Sequence, residues 1–236
     1  MKKTLFTIAL AAGLLIIPQA LNISAENLNY KTEILKLQPD LTEMELSESI
    51  RNIAETTEEK ERAYKQIYDE LIQDRQKGLY EAPKARGGSE GAFIVGNSAK
   101  GDFYYTPSTT AYLDHGHVGL YYTSTVIVES IPSTGVRQIS ATSRTVDQNA
   151  VVKSIDTTTA NKAAATQWAY DELGKGYSYN FATNRLTGHD GDKNCSKLIW
   201  SAYLLKAGLD LDVDKGLGVY PRDVRDATQT TYIRSF

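Results

Sequence analysis

The spacing of hydrophobic residues divides the chain into a helical first part and a second part rich in short strands. Between Asn27 and about Arg86 the chain is polar, and its apolar residues recur at helical spacing, most clearly from Glu58 to Gln76. This pattern predicts one or two amphipathic helices. Because such helices usually bury their apolar stripe, we expect them to pack on the second part; covering a cleft or acting as a spacer are the alternatives.

A turn-forming stretch from Pro83 to Ser89 separates the two parts. Beyond it, short runs of β-branched and aromatic residues predict strands at 92–95, 102–105, 117–122, 125–130, 136–139 and 150–155. An Ala-rich helix over about 159–173, a loop over 175–194, a second helix and a short polar tail complete the chain. Strands followed by helices predict an α+β fold with an antiparallel sheet packed against helices.

The last predicted helix begins at Cys195, the only cysteine in the chain. Asn194 is a good N-cap residue, and Gly208 stands where the helix is expected to end. A thiol in the first turn faces the positive end of the helix dipole, which stabilises a thiolate. A small buried apolar cysteine is the alternative.

Two neighbouring predicted strands carry His117 and Glu129. Side chains alternate between the faces of a sheet, so a three-residue loop Tyr122-Thr123-Ser124 places His117 directly across from Glu129. A two-residue loop would instead turn Glu129 to the opposite face. A carboxylate at hydrogen-bonding distance fixes the tautomer of an imidazole and favours its charged form.

A thiol, an imidazole and a carboxylate together predict nucleophilic attack on a carbonyl carbon. The backbone N–H of Cys195 at the helix start would help to stabilise the oxyanion. Tyr177 and Tyr179, in the loop before the helix, are candidates to bind substrate. Packing of these two rings onto the sheet is an equal alternative.

The order of these motifs resembles the circularly permuted branch of the NlpC/p60 superfamily of papain-like cysteine peptidases, the YiiX-like and lecithin-retinol-acyltransferase-like group. In the usual order the cysteine helix precedes the histidine strand, and here the order is inverted. The resemblance covers roughly residues 87–221. The matching segments, in order, are Gly101-Asp102-Phe103-Tyr104, His117-Val118-Gly119-Leu120, Glu129, Tyr177-Ser178-Tyr179-Asn180-Phe181 and Asn194-Cys195-Ser196-Lys197-Leu198.

This resemblance implies a permuted papain-like catalytic domain over 87–236. The helical extension, over 26–86, lies outside the resemblance. The resemblance also implies that Cys195 is the nucleophile, that His117 is the general base and then the acid, and that Glu129 orients the imidazole. The implied chemistry is attack on an amide or ester through a thioester, followed by hydrolysis or transfer. His115 shares the strand parity of His117, so it is a competitor for that role and a further candidate to bind substrate.

Residues 1–25 have the parts of a secretory signal peptide: two lysines, an apolar stretch and the small residues Ser24-Ala25. They predict export, cleavage after Ala25, and a secreted or cell-envelope protein without a stable membrane span. A net charge of −3 without a long basic run excludes the usual composition of a nucleic-acid binder. We expect no cofactor.

No metal site is predicted, because the histidines and the cysteine lack the close ligand pairs of zinc sites. The segment from Asp210 to Asp214 is similar to the start of a calcium loop, but Pro221 stands in the place of the closing glutamate. Its carboxylates are therefore expected to be solvated.

The sequence thus predicts an exported cysteine hydrolase that cleaves an amide bond, with cell-wall peptides, including peptidoglycan fragments, as the expected substrates. Two alternatives stay open. One is an acyltransferase or a lipid-ester or thioester hydrolase that uses the same three residues. The other is a non-catalytic envelope-binding module of the same fold.

Overall fold

The computed structural model describes residues 28–81, 93–108 and 114–236. The predicted signal peptide, the turn-forming stretch and the expected domain boundary after residue 86 lie outside the described residues. Within those described segments, no helix combines the length and the apolar character needed to cross a bilayer.

The helical first part forms three helices where one or two were predicted: α1 (Tyr30–Leu37), α2 (Glu43–Arg51) and α3 (Thr57–Glu81). Asn29 caps α1, and a reciprocal capping box between Thr42 and Glu45 starts α2. The buried face of α3 joins the same hydrophobic core as the second part of the chain. This helical extension therefore packs on the sheet domain, which was the expected arrangement.

The second part contains a six-stranded antiparallel sheet with the order β5-β4-β3-β2-β7-β8, and a separate two-stranded ribbon of β1 and β6. The strands are β1 (Phe93–Ile94), β2 (Phe103–Thr106), β3 (His117–Tyr121), β4 (Val126–Ile131), β5 (Gly135–Ser140), β6 (Thr145–Val146), β7 (Val151–Ile155) and β8 (Thr230–Ser235). The prediction of a short polar tail is thus wrong, because the end of the chain forms strand β8. It lies at the sheet edge, where most of its side chains are exposed, so the hydrophobic pattern of a buried strand is missing.

Three helices complete the domain: α4 (Thr159–Asp171), α5 (Cys195–Ala207) and the unpredicted α6 (Pro221–Asp226). Helix α5 contacts α4, β3 and β4, and its residues share the main core with Val118, Leu120 and Val128 of the strands. Strand residues of the opposite parity, such as Tyr121 and Ile127, form a second hydrophobic cluster. The predicted α+β class is confirmed.

Candidate active site

Helix α5 begins at Cys195 because Asn194 caps it, as predicted. The side-chain oxygen of Asn194 accepts the backbone N–H of Lys197 at 2.9 Å, and its Nδ2 donates to the carbonyl of Asn180 at 2.9 Å. The helix ends at Gly208, whose φ of +64° suits a residue without a side chain. Cys195 therefore occupies the first helical position, where backbone N–H groups are not used by the helix itself.

The thiol of Cys195 meets the imidazole of His117 where α5 and β3 both begin. The two side chains lie close enough for Cys195 to favour the charged form of His117, and both residues are buried, at 2% and 5% exposure. Nε2 of His117 lies 3.0 Å from Oε2 of Glu129, so Nδ1 is the ring nitrogen that is not bonded to this carboxylate. Burial alone would lower the pKa of His117, but Cys195 and Glu129 favour the charged ring and raise that pKa to about 9.

The hairpin that joins β3 and β4 differs from the prediction by one residue. Tyr122 pairs with Val126, so the loop is Thr123-Ser124-Thr125, with the Thr123 hydroxyl accepting two backbone N–H groups of the turn. Leu120 pairs with Val128, and continuing this register sets Glu129 opposite Gly119. The expectation that Glu129 lies directly opposite His117 is therefore wrong. The two are diagonal neighbours on the same face, because the loop still has three residues.

Glu129 is fully buried and is surrounded by groups that favour its charged form. Arg137 donates to its Oε1 at 3.0 Å and 2.7 Å, while Arg144 lies 2.9 Å from Oε2 and the Tyr104 hydroxyl donates to Oε2 at 2.5 Å. Burial would raise the pKa of Glu129, but its contacts with His117, Arg144 and Tyr104 hold that pKa well below its usual range. Sequence reasoning did not identify three of the partners of Glu129, which are Arg137, Arg144 and Tyr104.

One of the three partners carried a signal in the sequence. Arg137 pairs directly with Glu129 across β4 and β5, so the parity argument applied to the preceding hairpin would have found it. Arg144 follows β5 in an irregular segment, where no periodicity indicates which way a side chain points.

His115 faces the helical extension. Its Nδ1 is bonded to Asp74 of α3, its Nε2 lies 3.3 Å from the amide of Gln38, and its ring packs on Phe181 and Tyr220. The partners of its two ring nitrogens are thus Asp74 and Gln38, whereas His117 interacts with Glu129 and Cys195. Binding of substrate by His115 stays a prediction.

Tyr177 and Tyr179 lie in the wall of a cleft of about 530 Å³ between the loop before α5 and the helical extension. Their rings meet edge to face with centroids 4.9 Å apart. Among the described residues, the cleft is lined by five carboxylates and by no lysine or arginine; the acidic residues are Asp40, Glu45, Glu48, Asp190 and Asp192. Since Asn194 bonds to the carbonyl of Asn180, which also lines the cleft, this wall is tied to the residue before Cys195. Binding of substrate by the two tyrosines stays a prediction.

The segment from Asp210 to Asp214 is not simply solvated. Asp212 is buried and lies 2.6 Å from Arg185, which also pairs with Asp210 at 2.5 Å. Burial first, and then the neighbouring Asp214, raise the pKa of Asp212 to about 7. Among the described residues, ligand oxygens of Asp212, Asp214 and Asp223 lie within 4.8 Å of one another. The prediction of solvated carboxylates is therefore wrong for Asp212, because a spatial partner distant in sequence covers it.

This fold, with a thiol at a helix start and an imidazole from an earlier strand, is that of a papain-like enzyme in permuted order. The model of the permuted papain-like amidase enzymes, the YaeF/YiiX, C92 family, matches residues 90–231. The chain belongs to this family, and the family is one of amide hydrolases.

Two particular proteins are similar to this chain. The chain is 44% identical over 239 residues to the uncharacterized protein YycO of Bacillus subtilis (strain 168), covering 98% of this chain and 96% of that protein. A crystal structure described as that of the metalloprotein yiiX from Escherichia coli O157:H7 has 17% sequence identity and a TM-score of 0.44, over 59% of this chain and 98% of that one.

Proposed function

We propose that the protein is an exported cysteine hydrolase that cleaves amide bonds in cell-wall peptides, with Cys195 as nucleophile. The observation that carries this proposal is the series of buried interactions in which His117 interacts with Cys195 and lies at hydrogen-bonding distance from Glu129. In this series each group has the partner that thiol catalysis requires: the thiol has a base, and the base has a group that orients it.

The reaction begins with proton transfer from the thiol of Cys195 to His117. The thiolate attacks the amide carbonyl carbon, and the backbone N–H at the start of α5 stabilises the oxyanion. The C–N bond then breaks, and the imidazolium gives its proton to the leaving amine. Water, deprotonated by His117, attacks the resulting thioester, which releases the carboxylic acid and restores the thiol.

Three features support a peptide substrate outside the cytoplasm. The motifs resemble the permuted branch of the NlpC/p60 superfamily, whose wider membership acts on cell-wall peptides. Residues 1–25 have the composition of a signal peptide. The cleft beside the loop is polar and acidic, which suits a peptide with amino groups better than a lipid acyl chain.

Purified muropeptides and short acyl esters, incubated separately with the protein, distinguish the enzymatic alternatives. We expect release of a peptide fragment from muropeptides, and no release by the Cys195→Ala variant. Hydrolysis of esters without cleavage of muropeptides would favour the acyl-group alternative. Absence of turnover, together with a thiol that iodoacetamide modifies only at ordinary alkaline pH, would favour the binding module.

Export is tested by fractionation of cells that produce the full chain. We expect a shortened chain, beginning after Ala25, in the envelope or the medium. A full-length chain confined to the cytoplasm would contradict this part of the proposal.

A further inference from the structure

Glu129 carries one negative charge and is in contact with two guanidinium groups. Arg137 binds Oε1, whereas Arg144 binds Oε2, the oxygen that also contacts Nε2 of His117. The Nε of Arg144 also lies 2.7 Å from the Tyr104 hydroxyl, and its guanidinium stands 5.4 Å from the centroid of the Tyr104 ring. Arg144 is thus held against both Glu129 and the tyrosine that bonds to it.

Orienting an imidazole does not by itself require so many donors. A single buried carboxylate beside His117 would attract the imidazole proton strongly, because the low dielectric around it strengthens the interaction. The ring would then be a poor acid toward the leaving amine. A nearby positive charge offsets part of this attraction while the hydrogen bond to the ring is kept.

We infer that Arg144 is a positioning residue that holds Oε2 of Glu129 in place and offsets the negative charge of this carboxylate. Glu129 can then orient His117 without preventing the imidazole from giving up its proton. Arg137 has the same effect from Oε1, but its side chain is 35% exposed, so its charge is more strongly screened. The inference rests on the proposed function, since it assigns the ring a proton to transfer.

The charged and titratable groups near Glu129 come from several elements. They are Tyr104 of β2, His117 of β3, Arg137 of β5, Arg144 of the segment after β5, and Cys195 of α5 through His117. The carboxylate of Asp147 also interacts with Arg144. The groups that surround the Glu129 carboxylate carry a net positive charge, and removing one arginine lowers that charge.

The test is a pH titration of the single thiol, followed by the ultraviolet absorbance of the thiolate and by the rate of iodoacetamide modification. Loss of a positive charge opposes loss of a proton from the Cys195–His117 pair. We therefore expect Arg144→Met to move the midpoint of thiolate formation upward by about one pH unit. Arg144→Lys keeps the charge, so its midpoint should move by less than half as much. Arg137→Met should move it in the same direction by about half a unit.

The matched control is Arg234→Met, because Arg234 bonds to the carbonyl of Val95 and packs on Phe236. Its midpoint should equal that of the wild type. An unchanged midpoint in folded Arg144→Met, or an equal shift in Arg144→Lys and Arg144→Met, overturns the inference. If Arg144→Met does not fold, an unchanged midpoint in Arg137→Met overturns it instead.

The two proposals fail in different ways. A wild-type thiol that titrates like a free thiol overturns the proposed function and this inference with it. The inference alone is overturned if the wild type cleaves substrate and forms its thiolate at a lower pH than a free thiol, while the arginine variants have the same midpoint as the wild type.

Discussion

Gly119 lies directly opposite Tyr104 on the neighbouring strand, and the absence of a side chain at Gly119 is what lets the tyrosine ring cross β3 toward Glu129. A Cβ atom at Gly119 would lie 2.4 Å from Cε1 of that ring and 3.0 Å from Ile127. The glycine is thus required by close approach and not by an unusual backbone angle.

Gly119→Ala should therefore disturb the candidate site as well as the packing. We expect a loss of about 1–3 kcal/mol in the free energy of unfolding, because the Tyr104 ring must move. We also expect at least about a tenfold slower modification of Cys195, since Tyr104 then loses its bond to Glu129. Gly188→Ala is the control, as a Cβ there meets nothing within 4 Å. Equal thiol reactivity in both variants would refute this role for Gly119.

The protonation of His117 predicts a pH dependence of stability. Its pKa rises from 6.5 to about 9 on folding, so the folded state binds the proton more tightly than the unfolded chain. This contribution to stability is fully present below pH 6.5 and is lost as the pH rises through 9. The stability of the wild type relative to His117→Gln, measured by urea unfolding, should fall by about 3 kcal/mol across this range.

His189 supplies the control for the sign of this effect. Burial, and then nearby Lys197 and Lys193, lower the pKa of His189, so the folded state binds its proton less tightly. The stability of the wild type relative to His189→Gln should therefore rise with pH as the unfolded-state histidine loses its proton. A decrease in both comparisons would contradict the assignment for His117.

Loss of the α5 cap should slow the modification of Cys195 beyond what the loss of stability explains. Asn194→Ala removes the acceptor for Lys197 N–H and the bond to the Asn180 carbonyl, at a cost of about 1–2 kcal/mol. Thr158→Ala removes the corresponding cap of α4. We expect comparable thermal destabilisation, but slowed modification of Cys195 only in Asn194→Ala. Equal thiol reactivity in the two variants would show that the cap does not position the thiol.

The helical extension should be an integral part of the folded domain. Asp74 of α3 is buried and bonds to His115 and, at 2.9 Å, to Arg222. Asp74→Ala leaves a buried arginine with one partner fewer, so we expect a loss of about 3–5 kcal/mol in urea unfolding. Asp69→Ala removes an exposed pair with Lys65 and should cost less than about 1 kcal/mol. Similar losses in the two variants would argue against a stabilising role for Asp74.

What the sequence predicted well depends on neighbours along the chain. The start of α5 at Cys195 follows from the residue before it, and its end follows from Gly208, so both were predictable. The common face of His117 and Glu129 follows from an odd loop length, which required only the parity of two strands. Their diagonal offset was not predictable, because the turn shifted by one residue without changing parity.

What the sequence did not predict depends on contacts between distant segments. The sequence around Asp212 is typical of a surface turn, and it does not indicate that Arg185 lies against this residue in the fold. Similarly, Arg144 has no periodic pattern around it, and only the folded sheet brings it to Glu129. β8 was missed because pairing with β7, and not burial, stabilises it. Such long-range electrostatic and edge contacts leave little signal in a local pattern.

The candidate site combines two residues that are close in sequence with a third that is distant from them. His117 and Glu129 belong to one hairpin, whereas Cys195 reaches them only through the docking of α5 on β3 and β4. Detachment of α5 alone would separate the sulfur from its base while the strands remained paired. The reactivity of this one thiol is therefore a built-in reporter of partial opening, able to register motions that leave the content of secondary structure unchanged.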